Sequence, residues 1–139
     1  MFTKFYFSKL HPPIAGALCA VEHEGKFLFV RETYGGEKWT FPGGRVRRNE
    51  SPEEGIRREI KEELGIVLGP ITDIGEHYAE VNGQKQGIAR CFSARAENQN
   101  LILNRSEIKE AGWFALPEVP APYSPAVPKV IRLLEKIRK

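Results

Sequence analysis

The sequence predicts an α+β or α/β sandwich fold, and three observations support this class. Strand-like segments fill the first third of the chain, a sharply delimited helix follows, and further strands precede a terminal amphipathic helix. The length of 139 residues predicts one domain over residues 1–139, with enough chain for one sizeable core. The apolar content of 41% and the charged content of 28% exclude disordered and coiled-coil proteins.

The first part of the chain is predicted to form a β-hairpin and a short third apolar segment. Two strand-like runs, residues 14–21 and 26–31, flank a tight connection at residues 22–25. A loop rich in turn-forming residues then leads to the apolar segment 39–41. The Pro-Gly-Gly sequence at 42–44 is expected to end that segment, because one proline and two glycines do not continue a regular strand.

The segment from Ser51 to Gly65 carries the clearest helix signals. Ser51 is a good N-cap, Pro52 suits the first helical position, and Glu54 completes a capping box with Ser51. Gly65 provides the stop signal at the other end. We therefore expect a helix between these two residues.

The rest of the chain predicts two long strands, a short strand and a terminal helix. The runs 71–81 and 84–94 surround Asn82-Gly83, a strong two-residue hairpin signal. Residues 106–111 are expected to form a loop or short helix, and residues 112–114 a short strand. Five prolines follow in an irregular connector. The terminal helix has an apolar stripe made of Val127, Val130, Ile131, Leu134 and Ile137.

The charge balance and the apolar runs limit the expected partners and location. The chain has 21 basic and 18 acidic residues, a net charge of +3, which is too even for a protein that coats nucleic acid. No apolar run approaches the ~20 residues that a membrane span needs. Cys19 and Cys91 lie in strand-like runs and are expected to be reduced, buried thiols. We therefore expect a cytoplasmic protein with neither nucleic acid nor membrane as its partner.

An aromatic cluster stands at the amino terminus and has two interpretations. It would either cover one edge of the sheet or join a homodimer interface, and the sequence leaves both open. The cluster consists of Phe2, Phe5, Tyr6 and Phe7.

The predicted central helix carries three carboxylates on one face. On a helical wheel, Ile56, Ile60 and Leu64 form the core stripe. Glu59, Glu62 and Glu63 share another face, where their mutual repulsion costs a few tenths of a kcal/mol per pair even in water. Such a face needs a positive partner. Oxygen ligands from carboxylates and from a backbone carbonyl of the 42–44 turn would suit Mg²⁺ or Mn²⁺.

Arg58 lies on the same helix and is expected to orient the carboxylates. It stands four residues from both Glu54 and Glu62, so its natural reach is along its own helix. The alternative for the whole face is a solvated, glutamate-rich surface, which is common in helices.

These residues together resemble a known family. The chain matches the Nudix box at every defining position: Gly44, five residues, Glu50, seven residues, then Arg-Glu-Ile-Lys-Glu-Glu-Leu-Gly-Ile at 58–66. The resemblance implies a Nudix fold, which is a mixed β-sheet between helices in an α/β/α sandwich. It also implies metal-dependent hydrolysis of the pyrophosphate bridge in a nucleoside diphosphate linked to another group.

The resemblance also assigns roles to individual positions. Glu59 or Glu62 would act as general base, and the structural support comes from Glu50 with Arg58. Many members add a carboxylate from a loop before a tryptophan, for which Glu107 is the first choice and Glu110 the second. The metal ligands implied for Mg²⁺ or Mn²⁺ are the carbonyl of Gly44 and the side chains of Glu59, Glu62, Glu63 and Glu107.

The substrate is less well defined by the sequence. Arg31 and Arg45 flank the site in sequence and would hold phosphate oxygens. Tyr34 and Trp39 would offer a stacking surface for a base, although Trp39 could equally belong to the core. The expected substrate is a small nucleotide: a nucleoside triphosphate, an ADP-ribose-like compound or a dinucleoside polyphosphate.

Two other function classes compete with the enzyme. One is a catalytically silent module that binds a nucleotide or an RNA end, since a fold does not guarantee activity. The other is a structural protein whose acidic helix docks a basic partner. The complete set of three clustered carboxylates favours the enzyme, because a binding module has no need for their repulsion.

Overall fold

The computed structural model describes residues 14–34 and 36–138 of the chain. The amino-terminal aromatic cluster, and with it the choice between sheet cover and dimer interface, lies outside the described residues.

Six strands form one mixed sheet. The strand order is β4-β5-β1-β2-β6, and β3 pairs with β1 beside this path. The β1–β5 pair is parallel, whereas the other pairs are antiparallel. The strands are β1 (Gly16–His23), β2 (Lys26–Glu32), β3 (Gly43–Arg45), β4 (Ile71–Val81), β5 (Gln84–Arg95) and β6 (Ile108–Phe114).

Two helices cover opposite faces of this sheet. Side chains alternate across a strand, so β1 sends Ala17, Cys19 and Val21 to one face and Leu18 and Ala20 to the other. The first face packs against α1 (Pro52–Leu64) and the second against α2 (Ala126–Ile137). The predicted α/β/α sandwich with a mixed sheet is therefore confirmed.

Helix α1 begins and ends where its capping residues predict. The hydroxyl of Ser51 accepts a hydrogen bond from the Glu54 N–H at 3.1 Å, and the Ser51 N–H donates to Glu54 Oε1 at 2.7 Å. Gly65 adopts a left-handed conformation (φ 72°) and donates its N–H to the carbonyl of Lys61. Ile56, Ile60 and Leu64 are fully buried, which confirms the predicted core stripe.

The 42–44 segment corrects one sequence prediction. The apolar segment 39–41 ends before Gly43, but the two glycines are not a break in β-structure: Gly43 and Gly44 belong to strand β3, which pairs with Leu18 and Ala17 of β1. A Cβ on Gly43 would lie 2.9 Å from the Cα of Leu18 and would also collide with the carbonyl oxygen of Ala17. Glycine is required here because the two backbones approach so closely.

The region before the last strand corrects a second prediction. Residues 108–111 are neither loop nor helix but the first part of β6, which pairs with β2 along its length. The sequence analysis limited this strand to residues 112–114, because the exposed residues Lys109 and Glu110 interrupt the apolar pattern of the strand. The hairpin around Asn82-Gly83 is confirmed, with φ of 53° and 77° at these residues.

The second core face is completed by α2 and by the buried aromatic side chains of Phe27, Phe29, Trp39 and Phe41. Val127, Val130 and Leu134 of α2 are fully buried, whereas Ile137 is 47% exposed and lies beyond the packed stripe.

Cys19 and Cys91 are free, buried thiols, and burial raises the pKa of both. Within the described part of the chain, no helix has the length and apolar character needed to cross a membrane.

Candidate functional site

A cavity of about 390 Å³ brings most of the predicted site residues together. It lies where the polar face of α1 meets the end of β3 and the turn before β6. Its lining consists of Arg45, Arg47, Arg58, Glu59, Glu62, Glu63, Asn104 and Glu107.

Arg58 joins the carboxylates of this cavity into one network. Its guanidinium donates to both oxygens of Glu50, at 2.6 and 3.0 Å, and to Glu59 at 3.0 Å. A longer contact of 3.4 Å reaches Glu62. The predicted reach toward Glu54 is not seen, since Glu54 caps its own helix. Arg58 therefore ties α1 to Glu50, which lies in the loop before the helix.

Arg58 and Glu50 form an ion pair in which each side chain shifts the pKa of the other. The hydrogen bonds from Arg58 and from the Arg47 N–H hold the pKa of Glu50 at about 2. In return, Glu50 raises the pKa of Arg58 above its ordinary value. Both side chains therefore stay charged around neutral pH, and the ion pair between Glu50 and Arg58 does not depend on pH there.

Strand β3 lies directly against the first carboxylate. A Cβ on Gly44 would stand 2.6 Å from Glu59 Oε2, so only glycine leaves room for this carboxylate beside the strand. Gly44 and Glu59, two positions that the family resemblance assigned to metal binding, are therefore neighbours in space.

Glu63 is the carboxylate whose charge is most disfavoured. The pKa of Glu63 is raised to about 8, first by half-burial and then by a hydrogen bond with Glu59. The negative charges of Glu59, Glu32 and Glu107 contribute to the same rise. The site accumulates more negative charge than Arg58 neutralises.

Three residues of this region were missed by the sequence analysis, and one of them is Arg47, which lines the cavity. Glu32, at the end of β2, has its pKa raised by partial loss of hydration and by the charges of Glu107 and Glu59. Asn104 builds the turn that carries Glu107: its N–H donates to the carbonyl of Glu63, and its side chain accepts from the Ser106 N–H. The Asn-Arg-Ser sequence at 104–106 was a usable turn signal for Asn104. No local pattern points to Glu32.

The second choice for the extra carboxylate has another partner. Glu110 accepts a hydrogen bond from Arg31 at 2.6 Å, and neither residue lines the cavity. The Nε atom of Arg31 is buried without a hydrogen-bond partner among the described residues. Geometry therefore favours Glu107 over Glu110 at the carboxylate cluster.

The two predicted stacking residues differ in burial: Trp39 is buried, whereas Tyr34 is exposed. Trp39 is 8% exposed and packs edge-on against Phe114, with the Arg31 guanidinium 5.6 Å from its ring centre. This placement corresponds to the core alternative for Trp39. Tyr34 is 86% exposed in the loop after β2 and has an open ring face.

The donor set fits a hard divalent cation. Its candidate ligands are carboxylate and carbonyl oxygens, and the raised pKa of half-buried Glu63 is one that a nearby positive ion would lower. In the described part of the chain, no three His, Cys, Asp or Glu side chains already enclose a point where a metal would sit. The assignment of Gly44, Glu59, Glu62, Glu63 and Glu107 as ligands thus stays a prediction.

Comparison with known proteins gives relatives at the level of sequence. The chain is 33% identical over 111 residues to an RNA pyrophosphohydrolase from Hydrogenovibrio crunogenus, and the match covers 67% of this chain. That match spans 66% of the relative, just under two thirds of its length. The chain is also 30% identical over 118 residues to a CTP pyrophosphohydrolase from Escherichia coli, which covers 83% of this chain and 84% of the relative.

Solved structures and a family comparison agree with the sequence relatives. A MutT NUDIX hydrolase from Burkholderia pseudomallei superposes with a TM-score of 0.72 at 28% identity, covering 86% of this chain and 95% of that structure. The family model of the NUDIX domain matches residues 10–134, and this range includes every residue that lines the cavity. The chain belongs to the NUDIX family.

Proposed function

We propose that this chain is a metal-dependent pyrophosphohydrolase that cleaves the P–O–P bridge of a nucleotide. Nudix hydrolases generally need a divalent metal, and for this chain we propose Mg²⁺, with Mn²⁺ as a substitute. The observation that carries the proposal is the carboxylate cluster of Glu59, Glu62 and Glu63 at a cavity that Arg58 braces.

The residues of the chain divide the work of this reaction. A bound divalent ion would neutralise phosphoryl oxygens and lower the pKa of a bound water. Glu59 is held between Arg58 and Gly44, which suits a positioned ligand. Glu62 is 53% exposed and has only the 3.4 Å contact, so it is freer to take the proton of the attacking water. Water oxygen then bonds to phosphorus as the bridging P–O bond breaks.

The names of the relatives favour two kinds of substrate. The Escherichia coli relative is named for CTP, which is a free nucleoside triphosphate. The Hydrogenovibrio relative is named an RNA pyrophosphohydrolase, which makes an RNA end a second candidate. The sequence analysis did not expect nucleic acid as a partner, whereas this relative supports testing it. A cytoplasmic location stays a prediction.

A substrate panel tests the proposed function. Nucleoside triphosphates, ADP-ribose, NADH, dinucleoside polyphosphates and a 5′-triphosphorylated RNA would be incubated with Mg²⁺, with Mn²⁺ and with EDTA. Products would be separated by chromatography. We expect cleavage of at least one class that requires the metal and stops with EDTA.

The catalytically silent binding module is the contrasting result of the same panel. If every substrate survives with both metals, the proposed activity is wrong. Equilibrium binding of the same compounds would then show whether the cavity recognises nucleotides without cleaving them.

A further inference from the structure

Three arginines line the cavity, and only the side chain of Arg58 has hydrogen-bond and ion-pair partners among the described residues. The guanidinium of Arg58 is taken up by Glu50, Glu59 and Glu62. The side chains of Arg45 and Arg47 have no hydrogen bond or ion pair to any described residue, although both line the same cavity. Two exposed arginines therefore line the cavity that contains the carboxylate cluster, and neither side chain is taken up by a hydrogen bond or an ion pair with a described residue.

The backbone at Arg47 is held in place by the same carboxylate that braces Arg58. The Arg47 N–H donates to Glu50 Oε1 at 2.8 Å, and Arg58 donates to that atom at 2.6 Å. Arg47 is thereby tied to the start of α1, whereas its side chain stays exposed at the cavity. The next residue, Arg48, is also exposed but does not line the cavity.

The charges of a substrate decide what these two guanidiniums would bind. In ADP-ribose, both phosphates belong to the bridge that is cleaved. In a triphosphate cut between its first two phosphates, one more phosphate lies beyond the bridge and brings additional negative charge. The carboxylate cluster repels that charge, so a cation outside the cluster is needed to hold it. Arginine matches phosphate with paired N–H donors.

We propose that Arg47, together with Arg45, binds the phosphate beyond the cleaved bridge and so makes this enzyme selective for 5′-triphosphates over ADP-ribose. This inference rests on the proposed pyrophosphohydrolase function and names its substrate class. The shared chemistry is a 5′-triphosphate, which either a free nucleotide or an RNA end supplies. Sequence analysis had named Arg45 as a phosphate contact and had not singled out Arg47.

The test compares Arg47→Gln with the matched control Arg48→Gln, since both remove one positive charge from neighbouring exposed positions. Steady-state kinetics would be measured on a nucleoside triphosphate, on a short 5′-triphosphorylated RNA and on ADP-ribose, with Mg²⁺ at low and high salt. Thermal unfolding of each variant would check folding. The substituted side chain leaves the Arg47 N–H and its bond to Glu50 in place.

We expect Arg47→Gln to lower kcat/KM for triphosphates about tenfold, mainly through a higher KM, and that for ADP-ribose less than about twofold. The deficit should shrink at high salt, and Arg48→Gln should change neither substrate class by more than about twofold. The two triphosphate arms show whether the source is a free nucleotide or RNA.

Equal losses on triphosphates and ADP-ribose, or a wild-type protein that cleaves only ADP-ribose, would overturn the role of Arg47 and leave the hydrolase function standing. A wild-type protein that cleaves nothing would overturn the function. Equilibrium binding of the triphosphates to wild type and Arg47→Gln would then decide the Arg47 inference by itself, with equal affinities counting against it.

Discussion

Single side chains on one face of α1 set the electrostatics of the site. Glu59, Glu62 and Glu63 share this face, yet their surroundings differ because Arg58 contacts two of them and burial affects the third. Glu59 is the most enclosed by partners, Glu62 the most exposed, and Glu63 the one whose pKa is raised to about 8. Three residues of one type therefore have three separate chemical characters.

Glu62→Gln should remove most of the catalysis and little of the stability. The amide keeps the shape but loses the charge and the basicity, so we expect kcat to fall by about 10²–10⁴-fold. The free energy of unfolding should change by less than about 0.5 kcal/mol, because Glu62 is exposed and its contact with Arg58 is long. Activity assays and thermal unfolding measure both effects.

Glu53→Gln is the matched control for this substitution. Glu53 lies on the same helix and pairs with Arg57, outside the cavity. The Glu53→Gln variant should keep the hydrolysis rate of the wild-type protein. A near wild-type rate for Glu62→Gln would contradict the role of Glu62 in the site.

The raised pKa of Glu63 predicts a pH dependence for the metal-free protein. The pKa is raised from 4.5 to about 8 in the folded state, so the folded state binds a proton more tightly than the unfolded state does. The resulting stabilisation is fully present below pH 4.5 and is lost as the pH rises through about 8. Chemical unfolding in EDTA between pH 5 and pH 9 would measure this loss.

Glu63→Gln supplies the comparison for that measurement. Its neutral amide cannot ionise, so the decrease in stability between pH 5 and pH 9 should become smaller. The two proteins would then converge at low pH, where Glu63 is protonated. An unchanged pH dependence in the variant would show that Glu63 does not cause it.

Strand β3 is the element that joins the sheet to the site. It is three residues long, and its pairing with β1 places Gly44 beside Glu59 and Arg45 at the cavity. Its position depends on two close approaches, that of Gly43 to β1 and that of Gly44 to α1. Small changes in β3 should therefore reach the site through the backbone.

Gly43→Ala tests this element. The added Cβ would collide with Ala17 and Leu18, so β3 must move away from β1. We expect a loss of about 1–3 kcal/mol in the free energy of unfolding together with a loss of activity. Thermal unfolding and metal-dependent hydrolysis measure the two effects.

Gly69→Ala provides the control, because a Cβ there would meet only the carbonyl of Arg95 at an ordinary contact distance of 3.8 Å. It should be neutral or slightly stabilising, since alanine restricts the unfolded chain. Equal effects of the two substitutions would contradict the close approach of β3 to β1.

The whole molecule has two cores, one on each face of the sheet. Ile60 belongs to the α1 side and Val130 to the α2 side, and both are fully buried. Burying such a side chain contributes about 1.5–3 kcal/mol. The site sits over the α1 core, whereas the α2 core supports the sheet from behind.

The separation of the cores predicts additive substitutions. Ile60→Val should cost about 0.5–1.5 kcal/mol, and Val130→Ala about 2 kcal/mol from its two lost carbon groups. The double variant should equal their sum within about 0.5 kcal/mol, since no partner side chain is shared. Chemical denaturation measures all three values. A coupling well above 1 kcal/mol would show that the sheet transmits packing changes between its faces.

Local patterns in the sequence were sufficient for the helix and for its acidic face. The capping box, the core stripe and the shared face of the three glutamates all depend on residues within a few positions of one another. The hairpin at Asn82-Gly83 is local in the same way, because its left-handed backbone needs these residue types. The family resemblance rests on the same local spacing around Gly44, Glu50 and residues 58–66.

Only the tertiary structure decided which distant segments meet at that helix. Glu32 and Glu107 come beside Glu63 because β2 pairs with β6, and Gly43 belongs to a strand because β1 lies close enough to pair with it. Trp39 likewise belongs to the core because Phe114 of β6 packs against it. By itself the sequence determined the helix that carries the site, since helical contacts span three or four residues. The sheet assembled the rest of the cavity, since strand pairing joins residues whose separation along the chain leaves no local pattern.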